Sequence, residues 1–190
     1  IRTRFKNKKL LKINKFIKID NNDKSNNLSF YPDIYNQLSL NMILDIGFEN
    51  LQIKITKKEK NYFLAKIISE GHLEKNKGVH IKNGSITLPI LTNKDLEAIK
   101  IAKKMKINNF ALSFTNSPKD ILFFNKIISK KRKIIKIETK KAVKNIEKIF
   151  KHCDEILIDR GDLSKEINII EVPKAQRKIQ KIANKKDKKV

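Results

Sequence analysis

Between Ile134 and Glu166 the chain runs IIKIET, then a helical stretch, then EILIDRGDLSKE, and this alternation restricts the fold more than any other feature. Ile134, Ile135 and Ile137 make one short apolar run, and Ile156, Leu157 and Ile158 make another. Both have strand length and β-branched content. Between them Ala142, Val143, Ile146, Ile149 and Phe150 recur at helical spacing. Strand, helix and strand in that order form a βαβ unit, whose strands are parallel and whose crossover is right-handed in nearly every protein. Both runs end in charge. Lys136 and Glu138 alternate with Ile135 and Ile137 and so share one strand face, while the second run stops at Asp159-Arg160-Gly161-Asp162. Parallel pairing brings these charged ends together at the carboxyl edge of the sheet, where α/β barrels keep their chemistry.

The same alternation extends upstream to about Ile86. Asn93 can cap a helix running to about Met105, with Leu96, Ile99 and Ala102 inward. Phe110 to Phe114 is expected as a buried strand. Pro118 opens a helix in the manner of a first-turn proline, turning Ile121, Phe124, Ile127 and Ile128 inward. A last helix starts near Val172 and carries Ala175, Ile179 and Ile182, and Lys189-Val190 form the lip of a fourth parallel strand. Before Ile86 the pattern differs. Leu10–Ile13, Lys15–Ile19, Leu51–Ile55 and Tyr62–Ile68 are short, partly alternating runs between polar clusters, which predicts a small antiparallel β domain.

The formal net charge of +24 points toward polyanions. Of the 44 basic residues, however, only Arg2, Arg4, Arg132, Arg160 and Arg177 are arginine, the residue whose fork suits phosphate and base recognition. The lysines are scattered, so a solvated surface with salt-dependent, nonspecific polyanion binding is expected, and a dedicated nucleic-acid module is the minority alternative. No apolar run reaches the roughly 18 residues of a membrane span. Cys153 is the single cysteine, which fits a reducing cytoplasm. Ile1-Arg2-Thr3 carries neither an initiator Met nor a signal-peptide apolar core, and the chain is expected to be cut from something longer.

Lys136-Ile137-Glu138, followed about two dozen residues later by Arg160-Gly161-Asp162-Leu163, resembles the pyruvate kinase family. In the family's order there also stand Lys77-Gly78-Val79, Leu88-Pro89, Asn93-Lys94-Asp95, Ala111-Leu112-Ser113-Phe114, Glu166-Ile167, Val172 and Ala175-Gln176. The resemblance implies an α/β fold: a partial TIM barrel made of its middle βα units, with a small inserted antiparallel β-barrel lid domain. Residues 1–85 would be the lid and residues 86–190 the central barrel units. Ile1-Arg2-Thr3 falls where the family leaves the barrel for the lid, and Met42-Ile43-Leu44-Asp45 matches its apolar-Asp-Gly strand, with Ile46 intruding before Gly47.

Phosphoryl transfer needs positioning and charge neutralisation more than covalent help. Glu138 and Asp162, at adjacent strand ends, can share one hard divalent cation through oxygen. The resemblance implies that they ligate Mg2+ (or Mn2+), that Lys136 stabilises the transferring phosphoryl group, and that K+ is held by residues outside this chain. Gly161 and Asp162 are expected to precede a short helix, where their backbone N–H groups form an anion seat. The resemblance implies that they seat the carboxylate of phosphoenolpyruvate or pyruvate there, joined by Ser113 and Phe114, and that Arg2 faces the phosphates of ADP or ATP. A cytoplasmic homotetramer in glycolysis is the implied setting, with no specific nucleic-acid partner and no membrane. The competing account of Lys136 and Glu138 is a plain strand-end ion pair, and the competing function is a diverged, inactive relative with a binding or regulatory role.

Four departures from the family pattern bear on that choice: Asp159 in place of a small residue, Ser164 in place of Gly, Thr139 in place of Asn, and Thr115-Asn116 in place of Ile-Arg. Asp159 adds a negative charge beside the proposed metal, which tightens cation binding or disturbs the substrate carboxylate. His152-Cys153-Asp154 is set aside as a nucleophile cluster, because adjacent side chains diverge. His72 and His80 are too few for zinc, and no Walker loop or GxGxxG occurs.

Overall fold

Inward–outward alternation in its two longest strands builds the core of the N-terminal part of the molecule. The computed structural model describes residues 1–22, 26–129 and 131–190, and the chain divides into two units, Ile1–Leu88 and Pro89–Val190. The first unit contains β1 (Arg2–Arg4), β2 (Lys9–Leu11), β3 (Phe16–Ile19), β4 (Ser29–Tyr31), β5 (Ile43–Ile46), β6 (Leu51–Lys58), β7 (Phe63–Ser69), β8 (Gly71–Leu73) and β9 (Val79–Ile81). Five of them form an antiparallel sheet in the order β3-β7-β6-β5-β9, and β1-β4 and β2-β8 pair separately. Leu51, Ile53 and Ile55 of β6 and Phe63, Ala65 and Ile67 of β7 all point into one core. Ile46 joins them at 1% exposure, so the residue that interrupts the acidic pattern is a core residue. Gly47 follows with φ +71°, a left-handed position that a side chain would strain in the β5–β6 hairpin.

The second unit runs α1 (Asn93–Lys104), β10 (Asn109–Leu112), α2 (Pro118–Ile128), β11 (Arg132–Ile137), α3 (Lys140–Lys144), α4 (Ile146–Ile149), β12 (Ile156–Ile158), α5 (Arg160–Glu166) and α6 (Val172–Lys185). Its sheet is parallel, ordered β10-β11-β12. Lys189 adds an isolated parallel bridge to Glu155 beyond β12. One face of the sheet is covered: Leu112, Ile135, Ile137 and Ile156 share a core with Phe124 of α2, Ile149 of α4 and Ile179 of α6. Among the described residues no strands close this sheet into a barrel. No described helix is long and apolar enough to cross a membrane.

Three expectations need correcting. Thr92, not Asn93, caps α1, because the Asp95 carboxylate reaches back to the Thr92 N–H and completes a capping box. The strand expected over Phe110 to Phe114 stops at Leu112, and Ala111 is exposed on the sheet's uncovered face. Parallel strands are usually covered on both sides; with one face open, alternate residues of β10 and β12 meet solvent. Finally, Gly161 and Asp162 do not precede a helix but lie in the first turn of α5.

Candidate active site

Because β10, β11 and β12 are parallel, their carboxyl ends share one edge, and each contributes a different kind of group. Glu138 follows the last residue of β11 and is fully buried, at 0% exposure. Its Oε1 accepts the Phe114 N–H at 2.6 Å. Phe114 can offer that N–H because its backbone is left-handed, φ +53°, a conformation costly for a bulky residue and maintained only where neighbours enforce it.

The enforcing neighbours are Asn116 and Thr139, two of the departures from the family pattern. Asn116 Nδ2 donates to the Phe114 carbonyl at 3.0 Å, and the Asn116 N–H donates to Asp120 Oδ2 at 2.6 Å. Thr139 Oγ1 donates to Asn116 Oδ1 at 2.8 Å and accepts the Ala142 N–H at 3.0 Å, capping α3. Asn145 Nδ2 donates to the Asn116 carbonyl at 2.8 Å. The loop after β10 is thereby fastened to the loop after β11.

Lys136, two residues before Glu138, projects on the same side. Its Nζ lies 3.0 Å from Glu138 Oε2 and 2.8 Å from Asp159 Oδ2. Burial alone would lower the Lys136 pKa, but pairing with Asp159 and Glu138 outweighs it and the net displacement is upward. Burial raises the Glu138 carboxyl, against the opposing pull of the Phe114 N–H and Lys136. The hydrogen bond from Lys136 comes first in holding Asp159 below the ordinary carboxylate range. Asp159 also caps α5: its Oδ1 accepts the Asp162 N–H at 3.3 Å. The N–H expected to seat a substrate carboxylate is thus engaged by the protein's own carboxylate.

Glu138, Asp159 and Asp162 present carboxylate oxygens that all lie within 4.8 Å of one another. Oε2 of Glu138 is buried and, despite the nearby ammonium, receives no well-angled hydrogen bond among the described residues. A hard, all-oxygen donor set with a buried, under-coordinated oxygen fits a Mg2+-type cation.

The remaining expected residues are placed as follows. Ser113 and Phe114 are exposed at the end of β10. Gly161 is exposed beside Asp159, and the Ser164 hydroxyl donates to the Gly161 carbonyl at 2.7 Å. Arg2 belongs to the first unit, where its guanidinium donates to the Asn76 carbonyl at 3.2 Å. Sequence reasoning flagged the charge of Asp159 but missed its bond to Lys136, and it missed the Phe114 N–H and the Asn145 contact entirely. The available signal for Asp159 was its type: Asp directly before a helical first turn is a strong cap. Cys153 is buried, and burial pushes its thiol up to about 11, which suits a structural role.

Residues 3–190 match the family described as "Pyruvate kinase, barrel domain". Pyruvate kinase of Staphylococcus epidermidis is 31% identical over 166 residues, covering 84% of this chain and 28% of that protein. The Staphylococcus aureus enzyme gives the same figures, and that of Bacillus licheniformis is 31% identical over 148 residues, or 75% of this chain and 25% of that protein. The chain thus spans 25–28% of the length of these curated relatives.

Proposed function

The chain belongs to the pyruvate kinase family, and from that premise we propose that it carries central machinery for moving a phosphoryl group from phosphoenolpyruvate to ADP. The products are pyruvate and ATP. In this reading residues 1–85 are the lid and residues 86–190 the middle βα units of a TIM barrel whose other strands lie elsewhere in the protein. The parent enzyme is a cytoplasmic, glycolytic homotetramer that also uses K+.

The observation that carries the proposal is Lys136, held at the carboxyl edge of a parallel sheet against Glu138 and Asp159, with Asp162 alongside. Glu138 and Asp162 would hold Mg2+ (or Mn2+), which neutralises phosphate charge when bound. The Phe114 N–H fixes the Glu138 carboxylate, so one ligand is oriented before anything binds. Lys136 places a positive charge where the migrating phosphoryl group and the enolate it leaves both carry negative charge. As the phosphorus–enol oxygen bond breaks, a bond forms to the β-phosphate oxygen of ADP, and the enolate then takes a proton to give pyruvate. Gly161, Asp162, Ser113 and Phe114 line the substrate side, and Arg2 serves the nucleotide phosphates.

Lys136→Met in the full-length protein tests this. A charge used only in the transition state is typically worth about 3–4 kcal/mol, so kcat should fall roughly a hundred- to thousandfold with little change in substrate affinity. Normal turnover would sink the assignment. A second reading, an inactive relative that binds without catalysing, is favoured by one observation: Asp159 already holds Lys136. Failure of the full-length protein to convert phosphoenolpyruvate and ADP under any divalent cation would select it.

A further inference from the structure

We propose that Asp159 tempers phosphate affinity at the site: its carboxylate occupies the Lys136 ammonium and competes there with the phosphate of an incoming substrate. This rests on the reading that Lys136 faces the substrate phosphate. Both oxygens of Asp159 are anchored. Oδ2 lies 2.8 Å from Lys136 Nζ, and Oδ1 accepts the Asp162 N–H at 3.3 Å, so the group is held at both ends over the ammonium. Its position at the α5 cap ties it to backbone. Glu138 takes a second side of the same ammonium at 3.0 Å.

A dianion approaching Lys136 therefore meets an amine already paired with two carboxylates and a third, Asp162, within 4.8 Å of them. It must displace Asp159 and also bear like-charge repulsion. Partly exposed ion pairs of this kind, with Lys136 at 22% and Asp159 at 29% side-chain exposure, are worth at most about 1 kcal/mol. The competition therefore sets affinity within about a factor of five and does not block the site.

Asp159→Asn isolates the effect, because Asn keeps the size and the capping oxygen while removing the charge. Inorganic phosphate is the probe, titrated calorimetrically into the full-length protein without divalent cation, with melts confirming the fold. Asp159→Asn should bind phosphate about two- to fivefold more tightly than the unaltered protein. That gain should vanish in the Asp159→Asn/Lys136→Met double variant, an outcome a merely structural role for Asp159 does not produce. Asp159→Ala should show the same gain and serves if the Asn variant folds poorly. Unchanged phosphate affinity in Asp159→Asn, or an equal gain when Lys136 is absent, overturns the proposal. Phosphate binding requires no turnover, so the two readings fail separately. Tighter binding in a protein without kinase activity retains the Asp159 role and removes the kinase one. Full activity with unchanged phosphate affinity does the reverse.

Discussion

Lys136→Met also perturbs stability, and the size of the effect follows from what the ammonium leaves behind. Methionine keeps most of the side-chain volume, but Glu138, at 0% exposure, is left with the Phe114 N–H and no cation. Removing one partner of a fully buried ion pair costs about 3–5 kcal/mol. Here Lys136 is 22% exposed, so water already softens the pair, and a loss of about 1–3 kcal/mol is expected. Glu138→Gln should cost less, because Lys136 retains Asp159 at 2.8 Å. The double variant Lys136→Met/Glu138→Gln has no fully buried charge left stranded, and the partly exposed Asp159 loses Lys136 equally in the single and double variants, so the double-mutant cycle should show a coupling of about 1–3 kcal/mol. The pH dependence has a definite sign. Burial holds the folded Glu138 pKa above its ordinary 4.5, so folding favours its protonated form. That contribution is present below pH 4.5 and is lost as pH rises through the folded value. Removing Lys136 raises the folded value further, so the penalty of Lys136→Met should be larger at neutral pH than near pH 5. Urea unfolding of the four proteins at both pH values, followed by circular dichroism, measures this. Additive free energies, or a penalty independent of pH, would refute an ionised Glu138 that depends on Lys136.

Thr139→Ala removes both the bond to Asn116 and the cap on α3, and should cost about 1–2 kcal/mol in urea melts, with most of it recovered in Thr139→Ser. The Cys153 thiol, pushed up from 9.0 to about 11 by burial, contributes stability below pH 9.0 that is lost as pH rises toward 11. Native protein at pH 8 should accordingly resist alkylation that goes to completion in urea, and rapid native labelling would contradict the buried assignment. With +24 net charge but few arginines, binding to duplex DNA should collapse between low and moderate salt without sequence preference. An isotherm that persisted at high salt and discriminated between sequences would revive a dedicated nucleic-acid role.

Local periodicity carried most of the second unit. The order of β11, the α3–α4 crossover and β12 is written in the spacing of Ile135, Ile137, Ile146, Ile149 and Ile156, and all five are buried in one core. The Lys136–Glu138 pair was legible for the same reason: residues two apart on a strand must share a face. The cap on α1 was missed by one residue because Thr and Asn both cap well, and only the reach of the Asp95 side chain back to Thr92 chooses between them.

Sequence by itself determined the family, the strand–helix order and the charged strand ends, because these depend on residue type and on periods of two and 3.6 that act over a few neighbours. Tertiary structure decided what those charges do. Asp159 meets Lys136 only because β11 and β12 pair with Lys136 opposite Leu157, which sets Asp159 two residues further along, just past the end of β12. Register is a non-local property, fixed by the packing of the whole sheet rather than by either strand. Phe114 turns its N–H toward Glu138 in a left-handed conformation that its own propensity opposes. The contacts enforcing it reach from Asn116 to Thr139 and Asn145, residues brought together by the parallel crossover, and no local pattern in the chain encodes that meeting.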